Sequence, residues 1–113
     1  MDSDRIAELF AAFGPVDVRR MFGGVGIYAD GVMFALASRG EIFLKADDAT
    51  MPAFKREGQG PFTYAAKGGR RAVMSYWRLP VRLYDDPDEL AAWAREAVAA
   101  ARRAQAPKSK RKR

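Results

Sequence analysis

Asp30-Gly31 separates two short runs, Val25-Gly26-Ile27-Tyr28-Ala29 and Val32-Met33-Phe34-Ala35-Leu36-Ala37, both rich in β-branched and aromatic residues. A two-residue type I′ turn needs positive φ at both central positions, and Asp-Gly adopts that conformation with little strain. The pattern predicts a β-hairpin over residues 25–37. Residues 41–45, Glu-Ile-Phe-Leu-Lys, have the same character and follow Ser38-Arg39-Gly40, so the hairpin continues as a meander. A second hairpin is predicted from residues 62–66 and 71–79, turning at Lys67-Gly68-Gly69 and ended by Pro80. Ahead of the meander, Val16 and Val18 alternate with Asp17 and Arg19 in a short extended segment.

Helices flank this sheet. Ile6, Leu9, Phe10 and Phe13 fall at the spacing of one helix face, with Ser3 as the expected N-cap and Gly14-Pro15 as the stop. Residues 47–57 predict a short helix capped by Thr50 or Asp48, with Pro52 in its first turn and Gly58 after its end. Residues 86–103 give the clearest helical pattern. Asp86 can cap it, Pro87 suits the first helical position, and Glu89 stands three residues past the cap. Leu90, Trp93, Ala94, Ala97, Val98 and Ala101 form one apolar stripe that must pack on the sheet. The expected fold class is α+β: one small domain over residues 1–104, with an antiparallel sheet of about five strands and N- and C-terminal helices packed on it. Residues 105–113 form a basic tail with nothing apolar to bury, expected to be disordered.

The composition closes several routes to function. The 113 residues include no cysteine and no histidine, which excludes disulfides, zinc-thiolate sites and every Ser-His or Cys-His mechanism. Catalysis would then need a carboxylate or a lysine of strongly shifted pKa, with Lys45 and Lys67 as candidates beside Asp47 or Glu41, and an enzyme is not expected. The acidic start Met1-Asp2-Ser3-Asp4-Arg5 leads into no apolar run, and no stretch approaches the roughly 18–20 apolar residues of a membrane span. A cytoplasmic, bacterial-type protein is the default expectation.

Three local patterns suggest chemistry, and each has a plainer reading. Gly24-Val25-Gly26-Ile27-Tyr28-Ala29 matches a dinucleotide fingerprint letter by letter, but that fingerprint needs a helix N-terminus aimed at the pyrophosphate. A strand and a hairpin turn follow instead, so Gly23, Gly24 and Gly26 read as a bend, a bulge or a close backbone passage, and no cofactor is expected. Asp85, Asp86, Asp88 and Glu89 are hard oxygen ligands, yet their place at a helix start makes them capping residues, and Asp47-Asp48 is read in the same way. In residues 74–84, aromatic and basic residues interleave. Alternation puts Ser75, Trp77 and Leu79 on one face and Met74, Tyr76 and Arg78 on the other, so one of Tyr76 and Trp77 belongs to the core. The other, with Arg70, Arg71 and Arg78, would form a single-strand stacking platform. Arg19-Arg20 and Arg70-Arg71 read as solvated surface unless they converge in space with Lys67 and Arg78.

The net charge of +6 is unevenly spread. Seven of the 20 basic residues, Arg102, Arg103, Lys108, Lys110, Arg111, Lys112 and Arg113, lie in the last dozen positions with no acidic residue among them. Residues 1–101 therefore hold 13 basic side chains against all 14 acidic ones. Such a tail attracts polyanions, and five engaged cations would give log K a slope of about −4.5 against log salt on B-DNA.

The order and spacing of the segments resemble the TfoX (Sxy) N-terminal-domain family. The resemblance is carried by Arg20-Met21-Phe22-Gly23-Gly24, then Gly26, Tyr28, Asp30-Gly31 and Phe34, then Leu44-Lys45-Ala46-Asp47, Phe62 and Tyr64. Met74-Ser75-Tyr76-Trp77-Arg78-Leu79-Pro80 completes it. It implies an α+β domain with a non-enzymatic role related to regulators of competence for DNA uptake, without the second, C-terminal domain that full-length regulators carry. The implied partners are a transcription factor or an RNA polymerase component for the body, and DNA for the tail. The glycines, with Met21, Phe22, Asp30, Gly31, Tyr76 and Pro80, become a structural motif rather than a cofactor site.

Overall fold

In a computed structural model, residues 1–21 and 23–106 are described. Phe22 and residues 107–113, which include the tail cations Lys108, Lys110, Arg111, Lys112 and Arg113, lie outside the described residues. The elements run α1 (Ser3–Leu9), β1 (Asp17–Met21), β2 (Gly24–Ala29), β3 (Val32–Ser38), β4 (Glu41–Lys45), α2 (Met51–Arg56), β5 (Pro61–Ala66) and β6 (Gly69–Arg78). A 3-10 helix (Val81–Asp85) and α3 (Pro87–Gln105) complete the chain. The fold is α+β as expected, with one antiparallel sheet in the order β1-β2-β3-β4-β6-β5. That sheet has six strands rather than about five, because the segment around Val16 and Val18 pairs fully along β2.

Both meander turns take the conformation that their residues favour. Asp30 and Gly31 have φ of 52° and 79°, and Arg39 and Gly40 have 55° and 78°, so each is a two-residue turn with left-handed geometry at both positions. Alternation then sorts the side chains. Ile27, Ala35, Leu44 and Trp77 face the helices, while Gly26, Leu36, Phe43 and Arg78 face away. On the helix side, α1 delivers Ile6, Leu9 and Phe10, whose ring meets Phe34 edge-on at 5.5 Å. Helix α3 lies across β3 and β4 and buries Leu90, Ala91, Ala94, Ala97, Ala100 and Ala101. Five alanines on this face let the helix axis approach the sheet closely. Trp93 and Val98 sit at the margin of the expected stripe, half-buried.

Caps follow the sequence reading at α3, follow it in position at α2, and depart from it at α1. The Asp86 carboxylate accepts from the Glu89 N–H at 3.1 Å, as expected for α3. At α1 the cap is Asp2 rather than Ser3, its carboxylate accepting from the Arg5 N–H at 2.9 Å. At α2 the N-cap is Thr50, one of the two expected residues, without a side-chain hydrogen bond to the helix. There Asp47 and Thr50 instead close a turn, the Thr50 hydroxyl accepting from the Asp47 N–H and the Asp47 carboxylate from the Ala49 N–H. Helices α1 and α2 are shorter than predicted, since residues 10–13 form turns and α2 begins only at Met51, whereas α3 runs two residues beyond the predicted end and takes in Gln105, expected in the tail.

The glycines shape the sheet. Gly23 has φ +82°, and a Cβ on Gly24 would collide with the Ala37 carbonyl oxygen of β3. Gly26 sits beneath the sulfurs of Met21 and Met33 and the ring of Tyr28. The letter match to a phosphate loop is thus a requirement for close strand approach.

Arg82, on the 3-10 helix, holds the helical layer together. Its guanidinium donates to Glu57 at the end of α2 and to Glu89 in the first turn of α3, at 2.7 and 2.8 Å. These hydrogen bonds hold both carboxyls below their ordinary range. A carboxyl with a depressed folded pKa adds stability above its unfolded value of about 4.3 and loses it as pH falls through the folded value. In Arg82→Gln, the fall in melting temperature between about pH 5 and 3 should therefore be shallower than in the parent; an identical pH profile would refute this. Gly24→Ala should cost about 1–3 kcal/mol in urea unfolding, and an unchanged midpoint would refute the close approach.

Candidate functional site

The face of the sheet away from the helices curls into a groove. Strand β5 is four places from β2 in the ladder, yet Phe62 of β5 shares a small cavity with Met21, Gly24 and Leu36. The bend originates in β6. Pro61 pairs with Trp77 but Phe62 pairs with Val73, so Met74, Ser75 and Tyr76 bulge on the β5 side, while Tyr76 still pairs with Lys45 of β4. The Trp77 indole N–H secures the bulge by donating to the Met74 carbonyl at 2.7 Å. Beyond this point the β5–β6 hairpin swings over the sheet, and the Phe62 ring meets Phe43 edge-on at 4.9 Å.

Between this arm and the β3–β4 turn lies a groove of about 560 Å³. Its walls carry Phe43, Phe62 and Tyr64 together with Arg39, Arg70, Arg78 and Glu41. Phe62 and Tyr64 stack with an interplanar angle of 26°, and Tyr64 is 44% exposed. Arg70 donates to the Thr63 hydroxyl at 2.8 Å, which orients it along the arm. Arg78 lies 5.9 Å from the Phe43 ring centroid and 3.4 Å from the Glu41 carboxylate. Three guanidiniums thus surround three rings, with one carboxylate among them.

The structure divides the sequence candidates. Arg70 and Arg78 converge in the groove; Arg71 stands on the same hairpin opposite Tyr64, and Lys67 is exposed at its turn. Of Tyr76 and Trp77, Trp77 is the core residue at 3% exposure, packed near Phe54, and it leaves the stacking platform. Tyr76 is on the far face as alternation required, but the Lys45 ammonium covers its ring at 5.1 Å and burial pushes its phenol up. The available rings are instead Phe62 and Tyr64, and Arg39 completes the cationic set. Sequence reading placed Arg39 only in a turn. The alternation of Phe62 and Tyr64 opposite Arg71 was the signal that could have marked this arm.

Arg102 and Arg103 belong to α3 and serve the body. Arg103 holds Asp47 in a two-pronged pair at 2.7 and 3.1 Å, which lowers the Asp47 carboxyl, and Arg102 reaches Asp30 at 3.4 Å. The candidate catalytic groups are drawn apart: Lys45 lies on Tyr76, Asp47 is taken by Arg103 and Glu41 by Arg78. Among the described residues, no group of three or more His, Cys, Asp or Glu side chains could hold a metal ion, and no helix is long and apolar enough to cross a membrane.

The family model of the TfoX N-terminal domain matches residues 8–101 of the chain. The chain belongs to that family. It is also similar to Protein Sxy of Escherichia coli (strain K12), at 26% identity over 106 residues. That match covers 94% of this chain and 50% of the relative, so the chain spans about half the length of the curated relative it matches.

The two faces predict opposite outcomes for two aromatic truncations. Trp77→Ala should cost about 3–5 kcal/mol in denaturant unfolding, the range for a large buried ring. Tyr64→Ala, at an exposed position, should cost less than about 1 kcal/mol. Equal losses would mean that the faces are assigned wrongly.

Proposed function

We propose that the chain is a non-enzymatic regulatory module, in which the folded body engages a protein of the transcription machinery and the basic tail adds non-specific affinity for DNA. The observation that carries this reading is the separation of charge. The body is almost neutral and holds Arg82 between Glu57 and Glu89 in a structural pairing, whereas five cations stand within residues 108–113. Membership of the TfoX N-terminal domain family and similarity to Protein Sxy support a regulatory role. The absence of histidine and cysteine from the sequence, and the dispersal of Lys45, Asp47 and Glu41 among separate partners, favour recognition over catalysis.

Tail binding is electrostatic, so it weakens steeply with salt and ignores base sequence. Duplex DNA binding should be measured at several salt concentrations for the full chain and for a full-length variant with Lys108, Lys110, Arg111, Lys112 and Arg113 changed to serine. The parent should show a slope of log K against log salt approaching about −4.5, and the variant a slope near zero. Equal, weak binding by both proteins would remove the tail from this role.

A further inference from the structure

The groove on the far face offers a second mode of recognition, different from that of the tail. We propose that it binds single-stranded nucleic acid, with a base stacked on Tyr64 beside Phe62 and the flanking phosphates against Arg70, Arg39 and Arg78. Stacking on an aromatic ring needs an accessible ring, and Tyr64 is exposed with Phe62 beside it at 6.3 Å between ring centroids. Phe62 is itself braced by Phe43, so the ring pair is preorganised and little conformational freedom is lost on binding.

Charge complementarity selects an anionic occupant. The groove walls hold three guanidiniums against Glu41 alone, which is spent on Arg78. Among the described residues, no carboxylate pairs with Arg39 or Arg70, and Arg70 is held in place by the Thr63 hydroxyl. Two further exposed cations extend the arm beyond the groove, Arg71 opposite Tyr64 and Lys67 at the hairpin turn. A free nucleotide would fill the ring site without using that extension, whereas a strand running along the arm meets it phosphate by phosphate. Intact duplex fits poorly, because its base faces are covered by their neighbours in the stack and cannot reach Tyr64.

The test uses the full chain, with a fluorescent oligonucleotide of about ten thymidines as the single-stranded probe and a duplex of the same length as control. Tyr64→Ala should weaken single-strand binding about 5- to 100-fold, the range for loss of one stacked base, and leave duplex binding unchanged. Arg70→Ser should weaken the single strand as well and reduce its salt slope by about 1. Melting curves check that both variants, each altered at an exposed position, remain folded. Parent-like single-strand affinity in both folded variants would overturn the proposal. So would an equal loss on duplex, or thymidine monophosphate binding as tightly as the oligonucleotide, which would make a free nucleotide the occupant. The five-serine tail variant separates this proposal from the tail reading, since it should lose duplex binding and keep the Tyr64-dependent component on single strands.

Discussion

Strand register governs this molecule, and two tight turns with one bulge set it. Asp30-Gly31 and Arg39-Gly40 each connect adjacent strands with two left-handed residues, and a one-residue shift between Ile27 and Tyr28 resets the β2–β3 pairing so that Ile27 meets Ala35. A shift of one residue would turn Ile27, Ala35 and Leu44 to solvent and press Gly26, Leu36 and Phe43 against the helices. Every later feature inherits this choice: the buried face that receives α1 and α3, and the far face that carries the groove. Arg39 adopts the less favourable conformation of the two non-glycine turn residues, since it lacks the short polar side chain that eases Asp30 into the same region.

The glycines and the β6 bulge then convert a flat ladder into a curled one. Gly24 lets β2 approach the Ala37 carbonyl, and Met74 to Tyr76, left without partners on β5, redirect the outer hairpin. The same bulge separates neighbouring aromatics into different roles. Trp77 anchors the core and fastens the bulge through its indole N–H, Tyr76 is covered by Lys45, and the outer arm is free to present Phe62 and Tyr64. The groove is thus a product of the bend.

Electrostatics divides between holding and reaching. Arg82, Arg102 and Arg103 face carboxylates on other elements and tie the helices to one another and to the sheet. Arg39 and Arg70 face the groove. Arg102 and Arg103, grouped by sequence with the basic tail, are helical residues with partners at Asp30 and Asp47, because the C-terminal turn of α3 ends beside the β2–β3 turn and the β4–α2 loop.

Features governed by short-range chemistry were legible in the residues alone. The Asp30-Gly31 hairpin, the Asp86 cap with Pro87, the apolar stripe of α3 and the opposed faces of Tyr76 and Trp77 depend on neighbours within a few positions, and backbone sterics and periodicity decide them. The glycine motif was correctly denied a phosphate-loop geometry for the same reason, since its residues run on as strand β2 with no helix behind them. The α1 cap was misplaced by one residue, because Asp2 and Ser3 offer capping oxygens side by side. The sixth strand, the curl of the sheet and the meeting of Arg39, Arg70 and Arg78 around Phe62 and Tyr64 were beyond local reading. Those residues are as many as 39 positions apart, and only pairing across the whole sheet, bent where β5 and β6 shift register, brings them to a common surface.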